Sequence, residues 1–299
     1  MRITGRGVAI LLATLLALAL AGCERRSQDP PAAGAPAARM LATADLGREV
    51  LMDVRVPPDQ SVMRALRGAT DVETAHGGAF VSSMLGRRSD LAARRDWFFY
   101  RNGVLADVGA SGVRIADGDT VWWDHRFWGG MMDVWAVVGL WPRPFAADGE
   151  PPGPVAADPP LATALRAAGA EVTAGAAPWR VRVGAHADLL RREPAWRRAS
   201  ADPTGAGLTA AVEDGRITAL DAEGRRREPV AGARALVAAM PTGSVPADGV
   251  LMAVVGLDAA AARAAAERIA REPEVLAGRF ALTFDGAGEP VRAAGREGP

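Results

Sequence analysis

The chain has 299 residues, and its 35 basic and 35 acidic side chains leave no formal net charge at pH 7. That length suits two domains on a prior of ~100–200 residues each. The balanced charge excludes the broad basic field with which a nucleic-acid-binding protein gathers phosphate, so no nucleic-acid partner is expected. Every basic residue is arginine, in an alanine-rich chain, which reads as genomic composition bias rather than a phosphate site.

Arg2 and Arg6 precede an apolar run over residues 8–21 that ends in Leu20-Ala21-Gly22-Cys23. A basic start, a short apolar run and small residues at its end are the layout of an export signal. The run falls short of the ~20 apolar residues that a membrane span needs. Leu-Ala-Gly-Cys resembles a bacterial lipobox, and the resemblance implies that Cys23 is diacylated and becomes the mature N-terminus. Cys23 is the only cysteine, so it has no disulfide partner and no companion thiolate for a metal. Acyl chains anchor by burying methylenes, at ~0.8 kcal/mol each, without a spanning helix. The expectation is residues 1–23 as signal and lipobox, with the mature protein on the extracytoplasmic face of a membrane. Residues 24–47, rich in Pro, Ala, Gly and charge, read as a flexible tether.

Residues 50–56 have strand composition and stop at Pro57-Pro58. Asp59 or Ser61 can cap a short helix through Arg67, with Val62, Met63 and Leu66 on one side. Residues 77–86 are a further strand, and the polar residues 87–95 an exposed loop. The centre of the chain is residues 96–128, which hold four of the eight tryptophans and the only tyrosine. Trp97-Phe98-Phe99-Tyr100 puts large rings on alternate sides of an extended segment, as expected of a strand covered on both faces. Asn102-Gly103 suits a type I′ turn, because both residues tolerate positive φ. The chain is then expected to double back through residues 104–106, to form a short strand at 113–115, to turn at Asp117-Gly118-Asp119 and to enter a second aromatic strand at 120–123. The whole reads as an antiparallel meander.

Trp97, Tyr100 and Asn102-Gly103, followed by Gly109-Ala110-Ser111 and then Asp117-Gly118-Asp119 with Val121-Trp122-Trp123, resemble the transcobalamin C-terminal domain and its bacterial relatives. The resemblance covers residues 48 to 125, about a quarter of the chain, and its order of elements is more specific than any one motif. It implies a small β-grasp-like domain outside the cell that closes over one face of a corrinoid such as cobalamin. Carried onto this sequence, the contacts would come from Met84, Leu85 and Gly86 beside the polar loop, and from Trp97 at its end. The large helical domain that forms the other half of the transcobalamin site has no counterpart in these residues. One domain buries one face of so large a ligand, whereas good sites bury most of it. Affinity is therefore expected in the micromolar range, ~−8 kcal/mol.

Past Trp123 the resemblance ends. Residues 127–141 continue aromatic and apolar, read as a strand that packs two domains together, with a hydrophobic ligand lip as the other reading. Residues 146–160, rich in Pro, Gly and Ala, mark a linker after an N-terminal domain of residues 48–145. Residues 161–299 read as an α/β domain: a helix at 161–168, a strand at 179–183, a hairpin of 208–212 with 217–220, a buried strand at 249–256, a helix capped by Asp258 and a closing strand at 280–284. The expected fold is thus α+β, a β-grasp-like N-terminal domain followed by a C-terminal α/β domain.

Chemistry-bearing patterns are sparse. His76, His125 and His186 lie far apart and in no metal-ligand spacing. There is no G-x-S-x-G or H-E-x-x-H, and Asp117, Asp119 and Asp124 are better read as turn chemistry than as a calcium loop. No resident cofactor, metal or reaction is expected. The first reading is a lipid-anchored extracytoplasmic binding protein with a corrinoid as ligand and uptake as its context. Two alternatives stay open: an envelope scaffold that contacts a membrane transporter or another protein, and, with less support, a cell-wall hydrolase with carboxylates brought together between domains.

Overall fold

The computed structural model describes residues 31–32, 34–146 and 153–291. The export signal and Cys23 lie outside these residues, as do the first residues of the expected tether.

The end of that tether is a strand. Ala38–Ala44 is β1, in which Met40, Ala42 and Ala44 are fully buried. Its alanines gave it the composition of a linker, but alanine is also small enough to sit between two packed layers. β1 turns at residues 45–48 into the antiparallel β2 (Glu49–Val56). After β3 (Gln60–Ser61) comes α1 (Val62–Ala69), capped by Ser61, whose hydroxyl accepts from the Arg64 N–H at 3.2 Å. α1 buries Val62, Met63, Ala65 and Leu66. β4 (Val72–Ala75), β5 (Phe80–Met84) and β6 (Arg87–Arg88) form a three-stranded antiparallel sheet. The expected loop at 87–95 therefore begins inside a sheet, because Arg87 and Arg88 pair with Met84 and Ser83.

β7 (Arg95–Arg101) is the first aromatic strand, and Asn102 (φ 51°) and Gly103 (φ 90°) turn it into β8 (Val104–Leu105). β9 (Arg114–Ile115) does not continue a meander: it pairs with β3. The turn at 116–119 then delivers β10 (Thr120–Phe127) into the middle of the main sheet, whose order is β2-β1-β10-β7-β8. β10 runs parallel to β1, with Ala44 opposite His125, and antiparallel to β7, with Trp97 opposite His125. Pairing partners depend on distant segments, and strand composition carries no information about them. Side chains of β10 alternate between two cores. Val121 and Trp123 face α1 with Trp97, Phe99, Val62 and Leu66, while Trp122 faces away with Tyr100 and Leu41.

The second half begins inside the stretch expected as a linker, with β11 (Val155–Ala157). α2 (Leu161–Ala167), β12 (Val172–Thr173), β13 (Trp179–Ala185), α3 (His186–Arg192) and α4 (Pro194–Ala201) follow. A small sheet of β14 (Ala210–Glu213), β15 (Arg216–Leu220) and β16 (Arg226–Pro229) precedes β17 (Ala235–Pro241) and β18 (Val250–Gly256). α5 (Ala259–Arg271), capped by Asp258, then leads to β19 (Leu282–Phe284) and β20 (Pro290–Val291). The seven-stranded sheet runs β12-β11-β13-β18-β17-β19-β20, parallel as far as β18 and antiparallel beyond it. β18 is apolar throughout because both faces are covered. Val250, Met252 and Val254 meet α2 and α5, whereas Leu251, Ala253 and Val255 meet α3, α4 and β14–β15. The chain as a whole is α+β.

Residues 131–146 join the halves, but as turns rather than the expected strand, with a single bridge from Ala136 to Val104. Their apolar side chains split between two cores. Met131, Val134, Val137 and Leu140 pack with Tyr100 and Trp122, and Ala136, Val138 and Phe145 pack against the seven-stranded sheet. Phe280, from the far half, stands edge-on to both Tyr100 (5.5 Å) and Trp122 (5.0 Å). Gly139 has to be glycine here, since a Cβ would lie 2.5 Å from the Arg279 nitrogen. Among the described residues, no helix is long and apolar enough to cross a membrane.

A candidate ligand-binding rim

Where β10 ends, three connections meet: the turn at 45–48, the β5–β6 turn and the loop at 89–94. Ion pairs tie them together. Arg95 Nη1 reaches Asp45 Oδ1 at 2.9 Å, and Arg87 Nη2 reaches Glu49 Oε2 at 2.5 Å. His125 Nε2 lies 3.1 Å from the Arg88 carbonyl, and the Trp97 indole N–H donates to the Arg87 carbonyl at 3.3 Å. Apolar side chains stand in water along this rim: Leu91 is 75% exposed and Val50 64%, with Leu85 half-buried between core and solvent.

The rim is fixed from beneath by Asp124. Asp45, Leu46 and Gly47 have successive positive φ of 51°, 62° and 78°, a path that L residues resist. Asp124, fully buried, accepts from the Leu46 and Gly47 N–H groups, both at 3.1 Å, and from the Thr43 hydroxyl at 2.6 Å. That hydroxyl accepts in turn from the Trp122 indole at 2.7 Å. Burial pushes the Asp124 carboxyl above the usual carboxylate range, against these donors and Arg126, which pull it down. Asp119 does serve its turn, accepting from the Ala116 N–H, while Asp117 accepts from the distant Ala37 N–H; Asp124 lies in the middle of β10 and is not one of that cluster.

The four residues carried over by resemblance divide. Trp97 and Met84 are core side chains, both packed with Phe99 and Trp123, and they offer a ligand no free surface. Trp97 also lies against His125, ring centres 5.0 Å apart. Leu85 (φ 49°) and Gly86 (φ 73°) form the tight turn that reaches the rim. The structure thus brings the four to one place, two as its floor and two as its edge. The loop was recognisable in the sequence, but not the exposure of Leu91 within it or of Val50 in β2, because a lone apolar residue gives no signal of exposure.

The three histidines stay apart, each against a ring: His76 on Phe80, His125 on Trp97 and His186 on Trp196, whose indole donates to His186 Nδ1 at 3.2 Å. Burial pushes both His125 and His186 below the ordinary imidazole value. Among the described residues, no group of three or more His, Cys, Asp or Glu side chains comes together to hold a metal ion. Arg126 is buried over the Phe98 ring (3.9 Å) and donates to the Tyr100 hydroxyl (2.8 Å) and the Met132 carbonyl (2.9 Å). Burial pushes the Tyr100 hydroxyl up to about 12, so it remains a neutral donor to the Val134 carbonyl. This pair pins the joining segment. Two cavities, of about 270 and 500 Å³, open at the opposite end of the sheet.

The profile of a family described as a domain of unknown function (DUF4430) matches residues 59–126, from the start of the β3–α1 unit to Arg126 in β10. No curated protein matches the chain. The crystal structure of a "putative metal binding protein" from Ruminococcus gnavus ATCC 29149 is similar at 13% identity and a TM-score of 0.26, over 30% of this chain and 96% of that one. That likeness is too slight to bear on function.

Proposed function

We propose that this chain is a lipid-anchored, extracytoplasmic binding protein, without a reaction of its own, that takes a ligand on the rim of its N-terminal domain. One observation carries the reading. Leu91 and Val50 stand in water and Leu85 is half-buried along a rim whose 45–48 turn is fixed by a buried carboxylate and three positive-φ residues. Rigid exposed apolar surface favours binding because little entropy remains to be lost. The strand order β2-β1-β10-β7, with β1 parallel to β10 and α1 across one face, supports a β-grasp-like reading of this domain. The ligand class that fits that reading is a corrinoid, with an apolar ring face for the leucines and polar amides at its edge for the rim arginines. Trp97 acts as the floor of the site and makes no contact.

Equilibrium dialysis of cobalamin against the full chain in detergent tests this. Saturable retention in the micromolar range is expected, weakened about tenfold by Leu91→Asp, a change of ~1.4 kcal/mol. No retention by the parent chain removes the corrinoid class. A scaffolding role is the second reading, favoured by Phe80 (58% exposed), the first residue of β5, and Val108 (54%), in the loop that lies against the start of that strand. There the partner would be a membrane transporter component. Anchoring rests on Cys23: in fractionated cells, Cys23→Ser should move the protein from the membrane to the soluble fraction, and retention in the membrane would refute the anchor.

A further inference from the structure

At the end of the main sheet away from the rim, the cavity of about 500 Å³ is lined by Asp59, Arg101 and residues 112–116, Arg114 among them. Its size lies within the range of small-molecule sites. Arg101 is held from behind: its Nε donates to Asp119 Oδ2 at 2.9 Å. Asp119 is buried, and it also accepts from the Asn102 amide at 2.7 Å and the Ala116 N–H at 2.8 Å, so its position is fixed. Arg114 is pinned through one terminal nitrogen on the Asp59 carbonyl. The terminal nitrogens of Arg101, and the Nε and Nη1 of Arg114, make no hydrogen bond among the described residues. Two guanidinium groups are thus held at one cavity with N–H groups to spare.

We propose that this cavity binds an oxyanion group of a small molecule, a phosphate ester or a carboxylate, between Arg101 and Arg114. Guanidinium forks match both oxyanions with paired, charge-assisted hydrogen bonds. Asp119 offsets the charge of Arg101, and the exposed carboxylate of Asp59 opposes the incoming anion. Affinity is therefore modest and falls with salt, since these charges lie where a Debye length of ~8 Å screens them. Asp59 acts as the brake on the site.

Isothermal titration of inorganic phosphate, and separately of succinate, into the full chain in detergent at constant ionic strength tests the proposal. At least one should bind saturably near ~1 mM. Arg114→Gln, an exposed change that leaves the core intact, and Arg101→Gln should each weaken it about tenfold, whereas Asp59→Asn should tighten it. Phosphate binding tighter than succinate assigns a phosphate ester, and the reverse assigns a carboxylate. No saturable binding of either anion, undiminished binding in Arg114→Gln, or weaker binding in Asp59→Asn would overturn it.

Discussion

Asp124 shows how one side chain sets the shape of the candidate site. Its carboxylate receives two backbone N–H groups of a turn that would otherwise be strained, and it is dry. Because burial raises its folded value above the unfolded ~3.9, its contribution is fully present below that pH and is lost as pH rises through the folded value. The partly desolvated imidazoles of His125 and His186 work in the other direction: their stability is present above ~6.5 and is lost as pH falls through their depressed values. Asp124→Asn separates the two. In urea midpoints taken from pH 4 to pH 7, the parent should gain on the variant as pH falls, and a difference that stays constant would mean that Asp124 does not titrate in this range. The alternation of rings in residues 97–100 made a doubly covered strand legible from sequence. Which face-edge residues reach water was not, since exposure of Leu91 and Val50 depends on loops brought from three places.

At the scale of elements, β1 and β10 are the pair on which the N-terminal sheet depends. β10 was visible as an aromatic strand, and α1 as a helix capped by Ser61, because both signals are local. β1 was not, since its alanines match a linker's composition and its burial comes from neighbours on both sides. For the same reason the parallel pairing of β1 with β10 was not foreseen, and β9 was placed in the meander although it pairs with β3. The turn between β1 and β2 carries a testable constraint. Gly47 has φ 78°, and a Cβ there would lie 2.4 Å from the Gly278 carbonyl oxygen in the other half of the chain. Gly47→Ala should cost ~1–3 kcal/mol through the backbone alone, with the clash in addition. Chemical denaturation reads this directly, and a change below ~0.5 kcal/mol would show that the turn is not held as described.

Across the whole molecule, two sheets share a core that neither half completes alone. Phe280 fills the space between Tyr100 and Trp122, and the 131–146 segment gives side chains to both sides. The proline- and glycine-rich stretch marked a change of domain in the sequence, but β11 already belongs to the second sheet, so composition placed the change too broadly. With the N-terminal sheet braced on one side in this way, the rim projects from the opposite end to the two cavities, so ligands proposed for the two ends would not compete for one site. Hydrogen–deuterium exchange on the full chain, with and without saturating cobalamin, tests the central claim most directly. Slowed exchange is expected at residues 45–50 and 85–94, with the C-terminal sheet unchanged. Unchanged exchange at both rim segments, or protection confined to residues 153–291, would contradict it.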